Sequence, residues 1–183
     1  HMRNVLIAGL GALLTLGQAG NARSADPYYL LEVDQGKGLV QYVMLLSPKI
    51  FAKKSIPPQA LVGQLRRANG QLNPDNFVRN RGFVDLMQQF IEREGPQSEE
   101  LKREAAQLKT GSIRLLDGRS AMATPGGVPS DDTLGVFSVQ GGRIVGYQPN
   151  PEHRIVSERG LFHLPFRLHD KFVKELESKF VDR

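Results

Sequence analysis

The sequence predicts an α+β protein, and three observations lead to that class. β-rich runs separated by glycine-containing turns occur near the start and in the last third of the chain, whereas apolar residues at helical spacing fill the middle. An amphipathic helical pattern closes the chain. We therefore expect antiparallel hairpins in the N- and C-terminal thirds, a helical middle and a C-terminal amphipathic helix.

The first 25 residues precede this pattern and have the features of a signal peptide. His1 before Met2 has the form of a purification-tag remnant, and Arg3 supplies a positive charge ahead of the uncharged, apolar stretch 5–17. This stretch is shorter than the roughly 20 apolar residues that a membrane-spanning helix requires. We expect the leader to contact the membrane only during export.

The favoured cleavage site lies after Ala22, because Gly20 and Ala22 are small residues at the positions where signal peptidases prefer them. Cleavage after Ala25 is the second choice, because it places Arg23 where a small residue is preferred. Residues 26–183 are then predicted to form one soluble domain that is periplasmic or secreted, in a bacterial cell envelope.

The first strands are predicted from residue 28 onward. Residues 28–33 are β-rich, 35–38 have turn composition, and 39–46 form a second apolar run, so that a hairpin is expected. Because the second run is almost unbroken, its pattern is equally compatible with a buried helix.

Three helices are predicted in the middle of the chain. Two prolines open the first, over 57–69; Asn73 followed by a proline opens the second, over 73–94; and Ser98 opens the third, over 98–110. Each contains apolar residues three and four positions apart, which indicates one buried face.

Beyond residue 111 the periodicity changes. Residues 112–116 predict a strand, 123–132 a long loop, 161–166 a further short strand and 168–180 the closing helix.

The clearest predicted element is a hairpin that joins strands 133–140 and 143–148 through the two-residue turn Gly141–Gly142. A regular register would place two pairs of residues opposite each other: Val139 with Ile144, and Val136 with Tyr147.

The composition excludes several function classes. The chain has no cysteine, which excludes disulfides, thiolate metal sites and a lipid-anchored N-terminal cysteine. Its net charge of +5 includes Arg3 and Arg23 of the leader, and the remaining basic residues are scattered. With no tryptophan and four tyrosines, the chain lacks the basic, aromatic face that nucleic-acid binding requires. We expect no cofactor.

Candidate catalytic residues lie in the last third. His153 is a candidate general base, and the nearby Ser157 is a candidate nucleophile. Asp131 or Asp132 is the candidate acid that would orient the imidazole of His153. The histidines lack the spacing of a metal site, so no metal is predicted. No serine lies in a Gly-x-Ser-x-Gly motif, which is typical of the strained turn that exposes a nucleophile.

Candidate binding residues are mostly basic. Arg66, Arg67, Arg79 and Arg81 flank one predicted connection and are candidates for a site that binds phosphate or an acidic partner. A second candidate set follows the late hairpin and comprises Glu152, Arg154 and Arg159.

The sequence thus leaves three function classes open. The favoured one is a non-enzymatic envelope protein that binds a macromolecular protein partner, as an inhibitor, immunity-type factor or assembly accessory does. The alternatives are a hydrolase acting on an envelope polymer through His153, and a carrier of a small apolar ligand in a cavity lined by Tyr42, Phe83, Phe137 and Tyr147.

Overall fold

The computed structural model describes residues 15–17, 28–52, 54–120 and 127–181. Its strands are β1 (Thr15–Gly17), β2 (Tyr28–Asp34), β3 (Leu39–Met44), β4 (Leu61–Leu65), β5 (Phe77–Arg79), β6 (Gly111–Leu116), β7 (Thr133–Gln140), β8 (Arg143–Pro149), β9 (Val156–Ser157) and β10 (Gly160–Leu161). Its α-helices are α1 (Arg81–Glu94), α2 (Glu99–Leu108) and α3 (Leu168–Phe180). The predicted α+β class and the closing helix are confirmed.

Strands β1 to β5 form one antiparallel sheet in chain order. The β2–β3 hairpin is present as predicted, and the run from residue 39 is a strand rather than a helix. β1 lies inside the predicted signal peptide and pairs with Tyr28–Leu30 of β2. The rest of the predicted leader, 1–14 and 18–25, lies outside the described residues.

The helix predicted over 57–69 is wrong. Only Pro58–Ala60 make a single 3₁₀ turn, and Leu61–Leu65 then continue as β4, between β3 and β5. Because β4 is buried on both faces, its apolar residues do not alternate, and a short unbroken apolar run has no decisive period. Gly63 marks the strand, since a Cβ there would lie 2.3 Å from the ring of Phe77 on β5.

The second predicted helix is correct only in its later part. Asn73 caps a 3₁₀ turn of three residues, after which Phe77–Arg79 form β5. The α-helix starts at Arg81, where the Asn80 side chain accepts a hydrogen bond from the backbone of Gly82. The third helix is confirmed with its predicted cap, because the Ser98 hydroxyl accepts a hydrogen bond from the Leu101 backbone.

Strands β6 to β8 form a second antiparallel sheet, and its β7–β8 hairpin has the predicted two-residue turn with positive φ at both glycines. Val139 lies opposite Ile144 as predicted, but Phe137 rather than Val136 lies opposite Tyr147. A bulge causes the difference, because β8 carries one extra residue, Val145, between the pairs at 144 and 146.

The strand predicted over 161–166 is reduced to Gly160–Leu161, which pair with Val156–Ser157 in a two-stranded ribbon. The chain then enters α3 through Phe166 and Arg167, both with positive φ. No helix in the described ranges is long and apolar enough to cross a membrane.

Helix α1 lies at the centre of the packing and contacts β4, β8 and α3. Its fully buried Phe83 makes edge-on contacts with Phe162 and with Phe172 of α3, at centroid distances of 5.8 and 5.7 Å. The buried apolar side chains form one cluster that draws on both sheets. α1 therefore fixes where the end of β5 lies relative to the end of β8.

Candidate functional site

Three connections of the chain converge on a buried cluster of charged residues, which we call the ionic cluster. The turn after β6 provides Asp117 and Arg119, and the turn before β7 provides Asp131 and Asp132. The connection around β9 provides Arg159. Antiparallel pairing of Leu116 with Thr133 brings the first two turns together, and the Asp117 backbone donates a 2.7 Å hydrogen bond to the Asp132 carbonyl.

Arg119 is the centre of the ionic cluster, and its side chain is only 1% exposed. Its Nε donates to Asp132 Oδ1 at 2.9 Å, and its Nη1 donates to the carbonyls of Ile155 and Gly160 at 3.0 and 2.8 Å. Its Nη2 donates to the carbonyls of Asp131 and Arg154. All five guanidinium N–H groups are thus used inside the protein, which is the pattern of a structural clamp.

The Asp132 carboxylate is fully buried. Burial alone would raise its pKa, but hydrogen bonds from Arg159, Ser120 and Arg119, together with the positive charge of Arg119, outweigh burial and hold the pKa below its ordinary value. Arg159 also donates to Asp131 at 2.7 Å. Asp132 is therefore a paired structural anion.

The imidazole of His153 is oriented by Asp117, whose Oδ2 lies 2.9 Å from His153 Nε2. The other oxygen of Asp117 accepts hydrogen bonds from the backbones of Arg119 and His163, at 3.0 and 2.9 Å. The side chains of Asp117 and His153 are 0% and 2% exposed. This pair resembles the base and orienting acid of many hydrolases, although it lies at the edge of a structural cluster.

The predicted catalytic residues do not converge as a nucleophile, base and acid. Ser157 is buried, and its hydroxyl accepts a 3.1 Å hydrogen bond from the Arg159 backbone. Asp131 and Asp132 bind arginines, whereas the carboxylate that holds His153 is Asp117.

A groove of about 530 Å³ runs beside His153, and we call it the α1 groove. One wall consists of the end of β5 and the first two turns of α1, including Arg79, Arg81 and Asp85. The opposite wall consists of residues 148–151 at the end of β8. Among the described residues that line it, there is no serine or threonine, and His153 is the one aromatic residue.

The floor of the α1 groove is fixed by hydrogen bonds within the protein. Gln88 donates to the Leu134 carbonyl at 3.1 Å and accepts from the hydroxyl of Tyr147. The amide of Asn150 donates at 2.8 Å to two backbone carbonyls, those of Ser130 and Thr133. These groups keep the groove in shape and are not available to a ligand.

The structure divides the four candidate arginines into two pairs. Arg79 and Arg81 both line the α1 groove. Arg66 and Arg67 follow β4 at the other end of the β4–β5 hairpin, where their backbones bond to Asn76. All four side chains are exposed.

The second candidate set is also divided. Glu152 and Arg154 are exposed beside the ionic cluster, and the Arg154 carbonyl is one of the acceptors of Arg119. Arg159 is committed to Asp131 and Asp132, with its side chain 32% exposed.

The four aromatic residues suggested as the lining of a carrier cavity lie at three separate places in the packing. Phe137 packs against Tyr147 at a centroid distance of 4.6 Å, whereas Phe83 packs against Phe162 and Phe172. The Tyr42 hydroxyl accepts a hydrogen bond from Gln35 at the β2–β3 hairpin. These contacts fill the core and give no support to the carrier hypothesis.

Asp117, Arg119 and Ser120 were not predicted as site residues from the sequence. A signal was present, since two charged residues and a serine stand in a short turn between a strand and a long loop. However, their partners lie from 12 to 46 residues further along the chain, and a sequence pattern does not encode such distances. In the described part of the chain, no group of three or more His, Asp or Glu residues is placed to hold a metal ion.

Comparison with known proteins gave no match: no protein family, no curated protein and no solved structure matches this chain.

The lowered pKa of Asp132 leads to a prediction for acid stability. The folded-state pKa lies below the unfolded value of about 3.9. The pairing of Asp132 therefore contributes stability above that pH, and this contribution is lost as the pH falls through the folded-state pKa. Between about pH 5 and pH 2, we expect the free energy of unfolding to fall less steeply in Asp132→Asn than in the unmodified protein.

Urea denaturation at each pH measures this slope. Asp75→Asn, which removes an exposed carboxylate outside the ionic cluster, is the control. Equal slopes for Asp132→Asn and the unmodified protein would show that Asp132 does not carry the effect.

Proposed function

We propose that this protein is a non-enzymatic binding protein of the bacterial envelope, exported through its N-terminal leader, and that it acts by holding a macromolecular protein partner. The observation that carries the proposal is the commitment of the candidate catalytic groups to structural contacts. Asp132 is bound by two arginines, and Ser157 accepts a hydrogen bond from the backbone. Asp117 accepts from the backbones of Arg119 and His163 and pairs with His153.

Exposed residues at the α1 groove support a binding role. Arg79, Arg81, Asp85 and Gln148 are exposed and line the groove, and no hydrogen bond or ion pair engages their side chains in the described ranges. Charged and polar groups held on a rigid framework, without partners of their own, are suited to recognise a partner surface.

A hydrolase remains the second candidate because of one observation: His153, oriented by Asp117, lines the α1 groove. Since the described residues that line the groove include no serine, threonine or cysteine, His153 would have to activate water. A substitution of His153 therefore distinguishes the two functions, because only the hydrolase requires its imidazole.

The test of the proposed function is affinity capture of the leader-free protein from envelope extract of its own organism, with chemical cross-linking and mass spectrometry. We expect one dominant protein at a fixed stoichiometry, captured equally by His153→Gln, which retains a hydrogen-bonding group opposite Asp117. A partner-free protein that hydrolyses envelope polymer, and that loses this activity in folded His153→Gln, would overturn the proposal.

A further inference from the structure

We infer that the α1 groove binds an acidic, extended segment of the protein partner, with carboxylates of that segment paired to Arg79 and Arg81. This inference rests on the proposed binding function and assigns both the surface and the chemistry of what it binds. It is carried by the charge of the groove rim, by the rigidity of its floor and by its shape.

The rim is the part of the groove that is available to a ligand. Within the described residues, neither Arg79 nor Arg81 lies within 4 Å of a carboxylate, whereas Arg93, Arg119 and Arg159 each form an ion pair. A guanidinium presents a planar array of donors that matches a carboxylate. Two such groups two residues apart, at the junction of β5 and α1, are therefore suited to successive acidic side chains.

The remaining rim residues suit a peptide chain. Gln148, on the opposite wall, has an exposed side-chain amide that offers both a donor and an acceptor to a peptide backbone. Pro149 and Pro151 hold that wall in a restricted conformation. A groove of about 530 Å³ accommodates several residues of an extended segment.

Two other anionic occupants fit less well. A single-stranded nucleic acid would require stacking aromatic rings, and the described residues that line the groove include no Phe, Tyr or Trp. A membrane surface is broad and flat, so it would not reach the floor between the α1 wall and residues 148–151.

Asp85 lies one helical turn beyond Arg81 and places a negative charge in the same groove. It would repel an acidic ligand, and its neutralisation is expected to strengthen binding. Asp75→Asn adds the same charge at an exposed residue outside the groove, so a stronger effect of Asp85→Asn than of Asp75→Asn distinguishes a site at the groove from a general change of protein charge.

The test uses a dye-labelled decapeptide of alternating Glu and Ser, with a Gln and Ser peptide as its neutral counterpart, measured by fluorescence anisotropy at low ionic strength. We expect the acidic peptide to bind and the neutral one not to bind, with affinity decreasing as salt is added. Arg79→Ala/Arg81→Ala should weaken binding roughly tenfold, as two ion pairs of modest strength imply. Asp85→Asn should strengthen it about twofold.

The matched control is Arg66→Ala/Arg67→Ala, which removes the same charge at the far end of the β4–β5 hairpin and should leave affinity within about twofold. Equal weakening by the two double variants, or no binding of the acidic peptide by the unmodified protein, would overturn the inference. Binding to phosphatidylglycerol vesicles that depends on Arg79 and Arg81, without peptide binding, would also overturn it and would assign the surface to a membrane.

Failure of this inference is distinguishable from failure of the proposed function. If a stoichiometric partner is captured equally by Arg79→Ala/Arg81→Ala and by the unmodified protein, the binding function stands and the groove is not its site. If the acidic peptide binds at the groove but no protein is captured from the envelope, the groove assignment stands and the proposed function fails.

Discussion

Replacing Arg119 by alanine is expected to destabilise the protein by about 3–5 kcal/mol, the usual effect of removing one partner from a buried ion pair. The substitution leaves the Asp132 carboxylate without one of its cations, and four backbone carbonyls each lose the hydrogen bond from Arg119. The carbonyls of Ile155 and Asp131 retain a backbone donor. All four carbonyls belong to the connections before β7 and around β9, which Arg119 holds together. Urea denaturation followed by circular dichroism measures the change in free energy of unfolding.

Two further variants make this result specific. Arg119→Lys keeps the charge but has three donors on one nitrogen, so it should recover only part of the loss. Arg93→Ala removes an arginine whose ion pair with Glu175 joins α1 to α3 at the surface, with its side chain 53% exposed, and should cost no more than about 1 kcal/mol. If the Arg119→Ala protein were as stable as the Arg93→Ala protein, the structural role assigned to Arg119 would be wrong.

The second large effect is expected at Gly135 of β7, beneath the ring of Tyr147. A Cβ at this position would lie 2.3 Å from the Tyr147 hydroxyl and 2.5 Å from its ring, so Gly135→Ala forces the ring to move. The move would break the hydrogen bond from Tyr147 to Gln88 of α1. We expect a loss of about 1–3 kcal/mol, in the range of other overpacked cores, measured as the shift in the urea midpoint.

Gly146→Ala on the neighbouring strand is the matched control. A Cβ there meets Ser138 at 3.8 Å, which is ordinary van der Waals contact, and the change in stability should stay within about 0.5 kcal/mol. Equal effects of the two substitutions would mean that Gly135 is required only as a strand glycine and not for the close approach of Tyr147.

Elements with a local signal could be predicted from the residues alone. Composition and residues within a few positions of one another predict the α+β class, the helix cap at Ser98 and the glycine turn at 141–142. The closing helix over 168–180 was equally predictable, because its apolar residues recur on one face over three turns.

Other elements depend on residues that are distant in the chain, so their structure follows from long-range packing. Leu61–Leu65 became a strand because β3 and β5 pair with it on both sides, although its apolar spacing also fits a helix. The extra residue Val145 shifted the β7–β8 register, and a bulge of this kind leaves little trace in a pattern of alternating residues.

The candidate site shows the same division. The sequence indicated His153, Asp131, Asp132 and Arg159 as chemically capable residues, but their roles depend on a partner, Arg119, that lies in a distant turn. Likewise, Arg79 and Arg81 were separated from Arg66 and Arg67 only by the direction of the β4–β5 hairpin. Residue type determines which interactions are possible, whereas burial and long-range contacts determine which groups are already satisfied and which remain available to a partner.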